Sequence, residues 1–198
     1  VLADGTTVWL NEDTEWQFPV NVAGALREVY LERGEVYLEV AKDKEHPFVM
    51  HTTGGDVRVL GTEFNVKSLE GNKIEATLVE GSVQVNSGAS QLVLMPNQQA
   101  LVVKDGKEIP VKEVDVEEII CWKDNIFLFK DVCLEEIMVR LSDWYGFGVE
   151  YLNRSVKDEK FYISIDKYGE VDKILKLMSE VSGVRFEIHD RIVRVSKK

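Results

Sequence analysis

The chain has 198 residues, 44% of them hydrophobic and 30% charged, which is material for one large domain or two small ones and shows no sign of disorder. The net charge of −11 is uneven: residues 1–113 carry 10 Lys and Arg against 18 Asp and Glu, residues 114–198 carry 14 against 17. A surface of that sign repels a phosphate backbone, which sets aside nucleic-acid binding. No run of ~20 apolar residues is present to span a bilayer.

No signal peptide opens the chain, and Val1 to Leu10 already read as turn and strand. A chain that begins in mid-pattern is expected to be part of something longer, with a membrane anchor in the missing part. Residues 1–113 then alternate with period two. Val36, Leu38 and Val40 fall on one face, and Glu35, Tyr37 and Glu39 on a face expected to be wet. Asp56–Val59 and Ser82–Val85 repeat the pattern, between turn signals such as Asp4-Gly5, Arg33-Gly34, Gly54-Gly55, Glu80-Gly81 and Asp105-Gly106. Many short strands with no helical stretch between them predict an all-β sandwich, of jelly-roll or double-stranded β-helix type, over 1–113.

The period changes after Glu113, which places a second domain at 114–198. Asp115 to Trp122 reads as a connector and Asn125 to Phe129 as a short aromatic strand. Leu134, Ile137, Met138 and Leu141 then make a helix stripe, with Asp131 as its expected N-cap and Gly146 as its stop. Trp144 is expected to continue that core and Tyr145 to be half-exposed. The pattern returns 37 residues later: Val171, Ile174, Leu175 and Met178 match the first stripe, and Gly183 matches Gly146. Two βαβ repeats, expected to share one sheet, predict a small α+β domain.

No catalytic constellation emerges. There is no P-loop, no G-x-G-x-x-G and no G-x-S-x-G. His46 and His51 are five positions apart around Pro47, which does not place them on one strand face, so neither a metal nor a cofactor is expected. Paired acids such as Glu117-Glu118 and Glu135-Glu136 read as solvated or capping groups, and the chain is not expected to be an enzyme. Cys121 and Cys133 read either as free, partly buried thiols or, in an oxidising compartment, as a pair. Trp9, Trp16 and Tyr37 remain candidates for stacking on a glycan, and Phe161-Tyr162-Ile163-Ser164-Ile165 is the preferred free sheet edge.

Six segments follow one another in the first part: Leu2 to Asn11, Gly34 to Ala41, His46 to Met50, Val59 to Val66, Thr77 to Val85, and Pro96 to Ala100. Together they resemble the FecR family of anti-sigma regulators. Trp122-Lys123, Phe127, Phe129, Leu134 to Met138, Leu141 and Trp144-Tyr145 resemble the domain that follows in such proteins, itself similar to the short N-terminal domain of secretins and TonB-dependent transporters. The resemblance implies the periplasmic region of a single-pass inner-membrane protein. Its partners would be the signalling domain of an outer-membrane TonB-dependent transporter and, through a cytoplasmic segment outside this chain, an extracytoplasmic-function sigma factor. Tyr162, Ile163, Ser164 and Ile165, with Tyr145, are the expected transporter contacts.

Overall fold

The period-two stretches become strands, and the 3.6-period stripes become helices. The computed structural model describes residues 1–19 and 26–198. They divide into two compact units, Val1–Lys123 and Asp124–Lys198. The first unit contains β1 (Thr7–Leu10), β2 (Glu15–Gln17), β3 (Arg27–Arg33), β4 (Glu35–Glu39), β5 (Phe48–Thr52), β6 (Asp56–Val59), β7 (Glu63–Leu69), β8 (Lys73–Glu80), β9 (Val83–Ser87), β10 (Ser90–Leu94), β11 (Gln98–Val103) and β12 (Val111–Glu113). Among the described residues these form two six-stranded sheets, ordered β1-β4-β7-β8-β11-β12 and β10-β9-β6-β5-β3-β2. Neighbours run antiparallel, apart from β3 and β5, which run parallel.

Alternate residues of both sheets meet in one core. Val36, Leu38, Phe64, Val66, Ala76 and Leu78 of the first sheet share it with Val29, Phe48, Met50, Val57, Val85 and Leu94 of the second. Each of these side chains larger than alanine stabilises the unit by roughly 1.5–3 kcal/mol on full burial. This is a β-sandwich.

The first unit ends after Lys123, not after Glu113 as the change of period suggested. The connector is folded: α1 (Val116–Ile120) starts at Asp115, whose carboxylate accepts the Glu117 backbone N–H at 3.0 Å. It packs beside β8.

The second unit runs β13 (Ile126–Cys133), α2 (Leu134–Tyr145), β14 (Gly148–Tyr151), β15 (Lys160–Asp166), α3 (Val171–Glu180), β16 (Val184–His189) and β17 (Ile192–Lys197). The helices begin at Leu134 and Val171, in step with the sequence repeat. Leu134, Ile137, Met138 and Leu141 of α2 are buried, as are Leu175 and Met178 of α3. Gly146 closes α2 at φ 71°, a left-handed conformation that costs glycine little.

The repeats share a core but not one sheet. β13 pairs with β15 in a two-stranded sheet, while β14 and β16 flank β17 in a three-stranded one. Each repeat therefore sends its first strand to one sheet and its second to the other. Phe129, Phe161 and Ile165 from the first sheet and Val184, Val193 and Val195 from the second cover both helix stripes. Asp131 is not the N-cap of α2. It lies in β13 at a bulge between Lys130 and Val132, with φ 57°, which Asp tolerates better than most residues. Cys133 takes the N-cap position and makes no side-chain cap bond.

Candidate functional site

The outer face of the first sheet is buried where the alternation predicts a wet face. Glu35 and Tyr37 are 8% and 2% exposed. Strand register explains what they join. Trp9 lies opposite Tyr37, Tyr37 opposite Asn65, Asn65 opposite Thr77, and Thr77 opposite Gln99. One lateral row of five side chains thus crosses five strands on the side away from the apolar core.

Buried polar atoms must find partners, and these do. Asn65 Nδ2 donates to Glu35 Oε1 at 3.0 Å, and Asn11 Nδ2 donates to Glu35 Oε2 at 3.1 Å. Gln99 Nε2 donates to Thr77 Oγ1 at 2.9 Å, and the Tyr37 hydroxyl donates to Glu63 at 3.0 Å. The row is closed by the connector. Trp122 Nε1–H donates to Asn65 Oδ1 at 3.2 Å. Lys123 Nζ stands 5.8 Å from the Trp9 ring centre and 5.4 Å from that of Tyr37, with the two rings edge to face. The clue in the sequence was Asn, Thr and Gln at alternate strand positions, where a solvated face more often carries charge.

This geometry disposes of Tyr37 as a glycan platform, because its ring is enclosed. Trp16 packs against the sandwich core, and Trp9 is half-buried against Tyr37. The cysteines are both half-buried thiols, and Cys121 Sγ reaches the Glu118 carbonyl at 3.3 Å.

His51 lies on β5 between two acids. Its Nδ1 is 2.9 Å from Asp56 Oδ1 and its Nε2 is 3.3 Å from Glu28 Oε1, while Tyr30 stacks on the ring at 4.9 Å. Burial alone would lower the imidazole, but hydrogen bonds to Asp56 and Glu28 outweigh it and raise the group above the ordinary histidine value. A raised folded value means that the stabilisation is fully present below about pH 6.5 and fades as pH rises through the folded value. An NMR titration should therefore place the His51 midpoint above about 6.5 and lower it in Asp56→Asn. A wild-type midpoint at or below that value would contradict the arrangement.

In the second unit, the expected contact strand is β15. It has β13 on one side, and among the described residues no strand on the other. The Lys167 N–H donates to the Asn125 carbonyl at 2.8 Å. In an antiparallel ladder this makes Ile165 and Ile163 the bonded positions, and it turns the backbone groups of Tyr162 and Ser164 to the open edge. Side chains follow the same period. Phe161, Ile163 and Ile165 face the core, whereas Tyr162 is 75% exposed and Ser164 is exposed. The side chains of Ile163 and Ile165 therefore turn to the core.

Tyr145 packs against the core, and its hydroxyl donates to the Asp166 carbonyl at 3.3 Å. Burial and then the nearby Asp166 charge push its pKa up, so it keeps its proton. Tyr145, four residues after Leu141, lies at the edge of the stripe and is half-buried, as expected. Trp144 turns aside to meet Phe127 and Tyr168 edge to face and donates from Nε1 to the Lys167 carbonyl at 2.6 Å.

No helix among the described residues is long and apolar enough to cross a membrane. Residues 1–84 match the FecR protein family and residues 126–195 match the FecR C-terminal family, whose limits fall within the two units. The chain is also similar to two crystal structures of a protein from Parabacteroides distasonis assigned as an anti-sigma factor. Identity to both is 27% and TM-scores are 0.64 and 0.63, with 100% of this chain and 92% of the other covered. No curated protein matches the sequence.

Proposed function

This chain belongs to the FecR family of anti-sigma factors, and on that premise we propose that it is the periplasmic, signal-receiving part of a membrane-anchored regulator. It is a regulatory binding module, not an enzyme. The second unit receives the signalling domain of an outer-membrane TonB-dependent transporter by adding a strand to β15. The response passes to a sigma factor held by a cytoplasmic segment outside this chain. The membership supports the anti-sigma role, and the transporter is the partner the family resemblance implies.

The observation that carries the contact is the open edge of β15, with the backbone groups of Tyr162 and Ser164 turned outward. Strand addition takes its affinity from main-chain hydrogen bonds and its selectivity from the side chains that alternate along the edge. Tyr162 and Ser164 supply both.

Ser164→Pro isolates this contact. Proline is tolerated at an edge position whose N–H points out of the sheet, but it removes the donor an added strand needs. Binding of the cognate transporter's signalling domain, measured by calorimetry, should weaken at least about tenfold, or roughly 1.4 kcal/mol. The circular dichroism of the variant should match the wild type. Undiminished binding by a folded Ser164→Pro chain would refute the β15 contact.

A further inference from the structure

A cleft of about 550 Å³ opens on the sandwich, lined in part by Lys42, Lys44 and Arg58. Arg58 and Val93 lie in one row across the outer face of the second sheet, on either side of Gln84. The loop after β6 brings up Leu60 and Gly61, and Gly61 sits so close to the chain at Lys42 that an added Cβ would stand 2.6 Å from the Lys42 Cα. That close approach fixes the lysine-bearing segment against the end of β6.

The charge of the cleft runs against the rest of the molecule. The chain has 35 acidic residues to 24 basic ones. Among the described residues, no acid lines the cleft. Two nearby acids have partners of their own. Asp43, between the two lysines, gives one carboxylate oxygen to His46 Nδ1 at 2.8 Å and the other to the backbone N–H groups of Glu45 and His46. Glu63 accepts the Tyr37 hydroxyl at 3.0 Å. None of the three cations forms an ion pair among the described residues.

Single exposed lysines are ordinarily held by water. Three cations and no carboxylate among the lining residues of one concavity favour an anion there. The Arg58 guanidinium offers a planar fork suited to an oxyanion, and the two ammonium groups add point charges. Leu60 and Val93 are 44% and 54% exposed, an apolar wall beside the charges. The volume falls in the usual range for a small-molecule site.

We propose that this cleft binds a small organic phosphate or sulfate ester, its oxyanion between Arg58 and the two lysines and its carbon body against Leu60 and Val93. The site is on the sandwich and does not depend on the β15 contact.

The test is titration of the whole chain with phenyl phosphate and with inorganic phosphate, followed by NMR at the Leu60 and Val93 methyl groups. Phenyl phosphate should saturate and bind several-fold tighter than inorganic phosphate. Arg58→Gln should weaken it about tenfold, as should Lys42→Gln with Lys44→Gln, because charge-assisted bonds are lost. Lys176→Gln on α3 should change nothing. Vesicles containing phosphatidylglycerol distinguish the sources of the phosphate. Vesicle binding lost in the same variants identifies a lipid headgroup, and phenyl phosphate binding without it identifies a free ester. No saturation by about 10 mM phenyl phosphate, equal affinity for the two probes, or affinity unchanged in both Arg58→Gln and the lysine double variant overturns the proposal.

Discussion

Asp4→Ala is expected to destabilise the sandwich by about 3–5 kcal/mol, the cost of leaving a buried charge without its partner. Arg27 and Asp4 are 4% and 15% exposed, and Arg27 Nη1 donates to Asp4 Oδ2 at 2.8 Å. The same Nη1 donates to the Ala41 carbonyl at 2.9 Å, and Nε donates to the His46 carbonyl at 2.8 Å. Asp4 also accepts the Thr6 backbone N–H at 2.9 Å and the Thr6 hydroxyl at 2.8 Å, and that hydroxyl accepts the Ala41 N–H at 3.2 Å. One guanidinium thus ties the start of the chain to the segment after β4 and to the approach to β5. Asp4→Asn keeps the shape and removes the charge, so it should cost less than the alanine. An alanine variant within about 1 kcal/mol of wild type in urea unfolding would show that the pair contributes little.

The same cluster sets an acid limit. Burial alone would raise Asp4, but the Thr6 N–H, the Arg27 guanidinium and the Thr6 hydroxyl outweigh it and hold the carboxyl below the usual range. A depressed folded value gives stability that is present above about pH 3.9 and is lost as pH falls through the folded value. Asp4→Asn should flatten that part of the acid unfolding curve.

Arg27 also shows what the sequence made legible. Asp4, Ala41 and His46 lie in three of the segments that carry the family resemblance, and all three meet at one side chain. Those segments build the sandwich. Inner-face residues such as Val36, Phe64 and Leu78 could be read directly, since period two and burial give the same answer. The outer face could not. Glu35 and Tyr37 look solvated until the connector that covers their row is placed, and no local pattern announces a long-range cover. In the second unit the helix stripes were legible for the same reason as the inner strands. The exchange of strands between two sheets was not, because β13 pairs with β15 across a helix and a further strand. The open edge of β15 was readable from its polar alternates, but the inward turn of Ile163 and Ile165 needed the register.

The connector carries the last and most informative substitution, Trp122→Ala. The indole is half-buried, and its Nε1–H satisfies Asn65 Oδ1 on a residue 1% exposed. Truncation removes packing and leaves a buried acceptor unpaired, together worth about 2–4 kcal/mol. Trp122→Phe keeps much of the packing and loses the donor, so it should cost about 1–3 kcal/mol, the penalty for the orphaned amide alone. Asn65 also donates to Glu35, which holds Asn11 and has Lys67 Nζ at 3.7 Å, so the loss reaches beyond one bond. A cover that is only tied at its end should loosen before the sandwich unfolds. Hydrogen exchange over residues 114–123 should therefore accelerate more in Trp122→Ala than exchange of the core strands β7 and β8. Equal acceleration in both would mean that the connector belongs to the sandwich's own cooperative unit. Unchanged exchange in the connector would mean that Trp122 does not hold it. If exchange rises selectively, the chain has a sandwich that is stable by its own core and a fastening that can be released without unfolding it.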